Sequence, residues 1–349
     1  MLGVVVLMVS GALTALGQSL PSYPNVQQTP APSITPDPTQ SPDAAQDPDL
    51  PPSVSLPVKQ GPSDGVALAR LEAFKKSDVK FSVDELVDIL QDKRHEGWVL
   101  TAYPDPHTAQ PLIGAGFSLD LPERLHPQKD VMNPNQFIEP SSAELWQAAG
   151  LAPEKLKEIL GVYYKRLDSW GKVGFREQMM SLDLQITETD AQALTRIGVI
   201  QAAINAKAYC RYFRELTASQ QMGMTQLVYQ MGVNMEEFTT FLGLINRQKT
   251  DDAGNITAVA PSAIYWRDVQ MSLLDSRWAK AYKDRATAVV AMFDPRYAVS
   301  PISAERKVYA VLHPPRRRGH AGRGALREAR LNKKHATGAR KRAARRRRE

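Results

Sequence analysis

Two carboxylates nine residues apart, Glu96 and Asp105, stand at the ends of an aromatic-flanked connection that reads EGWVLTAYPD. Glycoside hydrolysis needs such a pair. One carboxyl must be protonated beside the leaving oxygen, and the other must be ionised near the sugar's anomeric carbon. Taken singly, each acid has an ordinary explanation. Glu96 follows Arg94 and His95, which fits a weak surface ion pair, and Asp105 lies between Pro104 and Pro106, as a turn residue would. Their spacing, and the glycine-punctuated Ile113-Gly114-Ala115-Gly116 that follows, make the pair worth pursuing.

The elements that must position this pair are legible around it. Ser82 and Glu85 form an S-x-x-E capping box, with Phe81 and Leu86 placed as its hydrophobic staple. Val83, Leu86, Val87 and Leu90 follow at helical spacing as a buried stripe. Gly97 occupies the place of a helix C-cap glycine, so Glu96 is expected in the last helical turn. The helix dipole disfavours a carboxylate there and pushes its pKa upward, which suits a general acid. From Trp98 to Ser118, apolar and aromatic residues broken by prolines and glycines predict a hairpin or small sheet.

The rest of the body reads as mainly helical. Val66–Lys75 predicts a short helix, Ser142 is placed to cap another, and Pro153 takes the first position of a longer one. Residues 187–216 predict a helix starting at Thr187 or Thr189 and a second helical piece. Ser219–Met231 is the most apolar helix, and its methionines read as core. Glu236–Gln248 and Val269–Phe293 predict further helices around a turn-rich DDAGN loop. No internal repeat, P-loop or dinucleotide fingerprint is present.

Composition sets the frame. The 349 residues carry 43% hydrophobic and 23% charged side chains, ordinary globular values. The net charge of +7 is unevenly placed. Between Arg306 and Glu349, seventeen Lys and Arg face two Glu, so the tail is strongly basic and the body mildly acidic. Such a tail, read as disordered over 306–349, suits an anionic polymer or a membrane surface. The single cysteine, Cys210, excludes an intramolecular disulfide and reads as a small buried hydrophobe. Residues 1–17 read as a signal peptide or N-terminal anchor, although no Lys or Arg precedes Lys59. Twelve prolines between Pro21 and Pro62 make 18–64 a disordered, semi-extended linker. The expected folded part is 65–300, and the chain is expected to work in the cell envelope, periplasmic or secreted.

At Glu96-Gly97, Tyr103, Asp105 and Ile113-Gly114-Ala115-Gly116 the sequence resembles the active-site stretch of phage-type lysozymes, the T-even phage endolysin family. Two further segments match in family order. One is Leu227-Val228-Tyr229-Gln230-Met231-Gly232 with Phe238-Thr239, and the other is Ser276-Arg277-Trp278 with Arg285-Ala286 and Met292-Phe293. The resemblance spans roughly 80–295 and implies an α+β, mainly helical, lysozyme-like fold. A small β-containing lobe and a larger helical lobe would flank a cleft. It implies a monomeric muramidase acting on peptidoglycan glycan strands, without a metal or organic cofactor. The bond cut is the β-1,4 link between N-acetylmuramic acid and N-acetylglucosamine. By the same resemblance Glu96 is the general acid and Asp105 the second carboxylate, while Tyr229, Ser118 and Ser272 contact sugar.

The sequence also departs from the family. Leu112, or Pro111 with a different gap, stands where the family has a water-holding threonine, and Phe117 replaces a histidine. Thr108 could supply a hydroxyl only from a differently folded hairpin. An inserted segment, about 119–183, could form a lid over the cleft. Three readings stay open: a muramidase, a lytic transglycosylase using Glu96 alone, and a peptidoglycan-binding protein without catalysis.

Overall fold

The computed structural model describes residues 55–59, 65–92, 98–105, 109–170, 184–251 and 253–314. Glu96, Thr108, the apolar run at 2–16, most of the proline-rich segment and the tail from 315 lie outside these residues. The described chain is mainly helical with two small antiparallel sheets, an α+β composition. No helix among the described residues is long and apolar enough to cross a membrane.

Helix α1 (Val66–Glu72) leads to α2 (Val83–Gln91), where Ser82 accepts the Glu85 amide at 3.2 Å as the N-cap. The stripe Val83, Leu86, Val87 and Leu90 is buried as its spacing requires. However, α2 stops at Gln91, and Asp92 is already extended. The helix ends short of Glu96, and the expected placement of Glu96 in its last turn falls outside the described residues. The physical reason is the pattern itself: four residues after Leu90 stands Arg94, so the apolar stripe has no continuation to bury.

Three strands follow, β1 (Val99–Pro104), β2 (Pro111–Gly114) and β3 (Phe117–Ser118), paired antiparallel in that order. Gly114 and Gly116 turn the β2–β3 connection with φ of 62° and 80°, a region that only glycine enters cheaply. In register, Leu112 faces Tyr103 on one side and Ser118 on the other. Residues 184–186 run along the free edge of β1, where the Ile186 amide donates to Leu100 O at 2.9 Å.

The segment expected as an insertion has its own order. Leu119–Pro140 is irregular, followed by α3 (Ser142–Ala148) and α4 (Pro153–Trp170). Ser141, rather than Ser142, is the N-cap of α3, and Glu144 closes the capping box. The end of the proline-rich segment pairs with this region: Val58 bridges Arg124, and the Leu125 amide donates to Pro57 O at 2.9 Å.

Helix α5 (Glu188–Tyr209), capped by Thr187, packs against α6 (Ala218–Met231), capped by Thr217, to make the centre of the core. Beyond α6 the chain makes a 3₁₀ turn (Gly232–Glu237), then α7 (Thr239–Ile245). The predicted helix over Glu236–Gln248 is thus shorter, and Gln248–Thr250 is instead β4, paired with β5 (Ile256–Ala258) around the DDAGN turn. Helices α8 (Ala263–Leu274), α9 (Arg277–Ala281) and α10 (Lys283–Ala291) follow. Helix α11 (Pro301–Leu312) then packs Ala304, Val308 and Leu312 inward, so ordered helix runs past Arg306 into the stretch read as tail. Cys210 is fully buried, and burial pushes its thiol up to about 12, an inert core position.

Helix α6 is buried almost throughout, yet it carries Gln220, Gln221, Thr225 and Gln226. Buried amides need partners, and Gln221 has two. Its Oε1 accepts the Lys80 amide at 2.7 Å and its Nε2 donates to Phe213 O at 2.8 Å, tying α6 to the chain ahead of α2. Gln221→Met keeps the volume but removes both bonds. We expect a loss of about 2 kcal/mol in urea unfolding. A loss below about 0.5 kcal/mol would show that the amide carries little of the packing.

Candidate functional site

The turn between β2 and β3 docks on the helical core through one aromatic residue. Tyr229, in the last turn of α6, donates its hydroxyl to Ala115 O at 3.1 Å. Its ring lies on α5 at Gly198, where an added Cβ would sit 3.0 Å from Tyr229 Cε2. The glycine in the middle of α5 thus serves close approach, since a Cβ there would make the Tyr229 ring give way.

Beside this contact lies a cavity of about 200 Å³. Gly116, Phe117 and Ser118 supply the sheet side, Gly198, Gln201, Ala202 and Asn205 come from α5, and Val228 and Tyr229 come from α6. Leu121, Glu139 and Leu145 of the inserted segment complete the wall. Ser118 Oγ is shielded from solvent and meets no hydrogen-bond partner among the described residues. The lining is thus an apolar and aromatic surface with a few polar groups, the usual make-up of a small-molecule site.

Of the residues singled out from sequence, Ser118 and Tyr229 line this one cavity although 111 positions separate them. Ser272 does not line it; its hydroxyl donates to Val269 O within α8 at 2.8 Å. Asp105 lies at the end of the β1–β2 hairpin, its amide donating to Gln110 O at 2.8 Å and its carbonyl accepting the Ala109 amide at 2.9 Å. It is not part of the cavity lining. Glu96 falls in the segment 93–97, outside the described residues. The chain resumes at Trp98, whose indole donates to Glu188 in the first turn of α5.

Two residues that sequence reasoning missed belong to this region. Tyr163 of α4 is buried beneath the hairpin and donates to Ala109 O at 2.7 Å. Burial first, and then the charge of Asp105, push its phenol up to about 12. Ala109 itself has φ of 56°, an unusual value for a side-chain-bearing residue, so this bond anchors a strained residue. Glu139 is the second, at the cavity wall and close to the buried His126. Neither could be placed from local pattern, because both come from a segment whose path is set by long-range contacts. Among the described residues no group of His, Cys, Asp or Glu is arranged to hold a metal ion.

No protein-family model matches the sequence, and comparison with curated proteins also gives no match.

The contact at Gly198 yields a paired prediction. Gly161 in α4 has open space where a Cβ would stand, so Gly161→Ala should stabilise by about 1 kcal/mol through helix propensity. Gly198→Ala should lose that gain, or destabilise, because the Tyr229 ring must shift. Thermal unfolding of the two variants decides, and equal stabilisation would mean that the ring contact is unimportant.

Proposed function

We propose that the chain is a peptidoglycan-degrading muramidase with a lysozyme-like fold, its glycan held between the small sheet and the helices α5 and α6. Glu96 serves as the general acid and Asp105 as the second carboxylate. The observation that carries this reading is the meeting of Ser118 and Tyr229 on one cavity wall. The resemblance assigns both to sugar contact from two separate, ordered segments of sequence. An apolar wall with a few polar groups suits a pyranose ring, which offers an apolar face and hydroxyl edges. The apolar run at 2–16 and the proline-rich spacer would deliver such a domain to the cell envelope, where the substrate is.

The steps are those of a two-carboxylate glycosidase. Glu96 donates its proton to the glycosidic oxygen as the bond to the anomeric carbon breaks. Asp105 stabilises the positive charge on the ring or takes the proton of an attacking water. Tyr163 anchors the start of β2 near Asp105 through its bond to Ala109 O.

One observation favours a second reading. Leu112 lies in register between Tyr103 and Ser118 and offers no hydroxyl for a water. Attack by the sugar's own 6-hydroxyl would then give an anhydro end, as in a lytic transglycosylase.

Digestion of purified peptidoglycan, with the fragments analysed by mass, separates the two. Reducing muramic ends are expected, with anhydro ends pointing to the second reading. Glu96→Gln should lower release at least about 100-fold, the usual worth of a general acid. Undiminished release by Glu96→Gln would remove Glu96 from the mechanism, and no release by the unaltered chain would remove both readings.

A further inference from the structure

Glu139 is held in an arrangement that the chemistry above does not use. Its Oε1 accepts from Asn205 Nδ2 at 3.1 Å and faces His126 Nδ1 at 3.4 Å. On the other side of the ring, His126 Nε2 faces Glu236 Oε1 at 3.0 Å, and Lys129 Nζ reaches Glu236 Oε2. The His126 side chain is only 1% exposed and stacks on Phe137, with ring centroids 3.6 Å apart. Tyr209 meets both rings edge-on. The contacts run from Glu139 through His126 and Glu236 to Lys129, and they give the Glu139 carboxylate a fixed direction.

The segment that carries Glu139 is equally fixed. Asn133 Nδ2 donates to Lys207 O and Ala208 O, each at 2.8 Å, and Gln128 Nε2 donates to Ala208 O at 2.9 Å. Asp130 takes a two-pronged contact from Arg211, and Asn205 both accepts from and donates to the backbone of Ile138 at 2.9 Å. A carboxylate on so constrained a segment is pre-positioned for a ligand, which avoids the entropy cost of ordering it on binding.

We propose that Glu139 is a ligand-binding residue of the cavity, accepting hydrogen bonds from the hydroxyl or acetamido N–H groups of an N-acetylated hexosamine unit. One carboxylate oxygen is engaged by Asn205 and His126, and no hydrogen bond within the protein is found for the other among the described residues. Gln201 and Ser118 add further polar capacity to the same wall. His126 is a positioning residue that acts through Glu139. The proposal rests on the reading of the cavity as a glycan site, but it concerns a residue that the cleavage chemistry does not require.

The test uses the full chain and the soluble N-acetylglucosamine tetramer as probe, with affinity from calorimetric titration and peptidoglycan release followed in parallel. Glu139→Gln is nearly isosteric and should keep the fold while weakening tetramer binding about tenfold or more, as loss of a charge-assisted bond does. His126→Gln should weaken binding in the unaltered chain yet add nothing in the Glu139→Gln background, a coupling that general loosening of the fold would not produce. Gln201→Met, on helix α5, provides a second folded variant and should weaken binding several-fold. Unchanged affinity in Glu139→Gln, with peptidoglycan release intact in the unaltered chain, overturns the proposal and leaves the muramidase reading standing. Failure of the unaltered chain to bind the tetramer overturns the proposal too. Failure to release fragments while Glu139→Gln still lowers tetramer affinity supports a glycan-binding cavity and counts against cleavage alone.

Discussion

The contact of Tyr229 with the β2–β3 turn is the constraint on which the candidate site depends. A single hydroxyl bond to Ala115 O is worth about 1 kcal/mol, so it does not hold the fold by itself. Its importance is positional. Gly198 gives the ring close approach to α5, and Gly114 and Gly116 with positive φ form the turn that presents Ala115 O. Three glycines in two places thus serve one contact. The cavity exists where sheet, α5 and α6 meet around that ring.

The segment after β3 supplies the remaining wall by a different kind of chemistry. A helix end leaves its last carbonyls without intrahelical partners, and α5 is no exception. Gln128, Asn133 and Asn246 cap Lys207, Ala208 and Tyr209 carbonyls with side-chain amides. The loop is therefore fastened by polar bonds to the end of a buried helix, with His126 and Phe137 as its small aromatic core. The same segment later forms α4, which brings Tyr163 under the hairpin. What reads in the sequence as an insertion is in the structure a second support for both candidate regions.

Where periodicity and capping act locally, the fold is legible in the sequence. The α2 stripe, the Thr187 cap, Pro153 at the start of α4 and Gly232 after α6 all follow from side-chain chemistry within a few residues. At the end of α2 the apolar spacing is lost after Leu90, and the helix stops at Gln91. The β4–β5 hairpin escapes a sequence reading because its strands are three residues long and largely exposed, with no alternation to read. Ser118 and Tyr229 come from resemblance, and the structure brings them together. Glu139 and Tyr163 leave no local signal, since only long-range packing gives either its place.

The central claim is that the cavity beside Tyr229 is where a glycan is held. A crystal structure of Glu96→Gln soaked with a muramic acid–glucosamine fragment tests this most directly. The account predicts a sugar ring against the Tyr229 face, with donor groups within hydrogen-bond distance of Ser118 Oγ and the Glu139 carboxylate. A fragment bound elsewhere on the chain, with this cavity unoccupied, would contradict it.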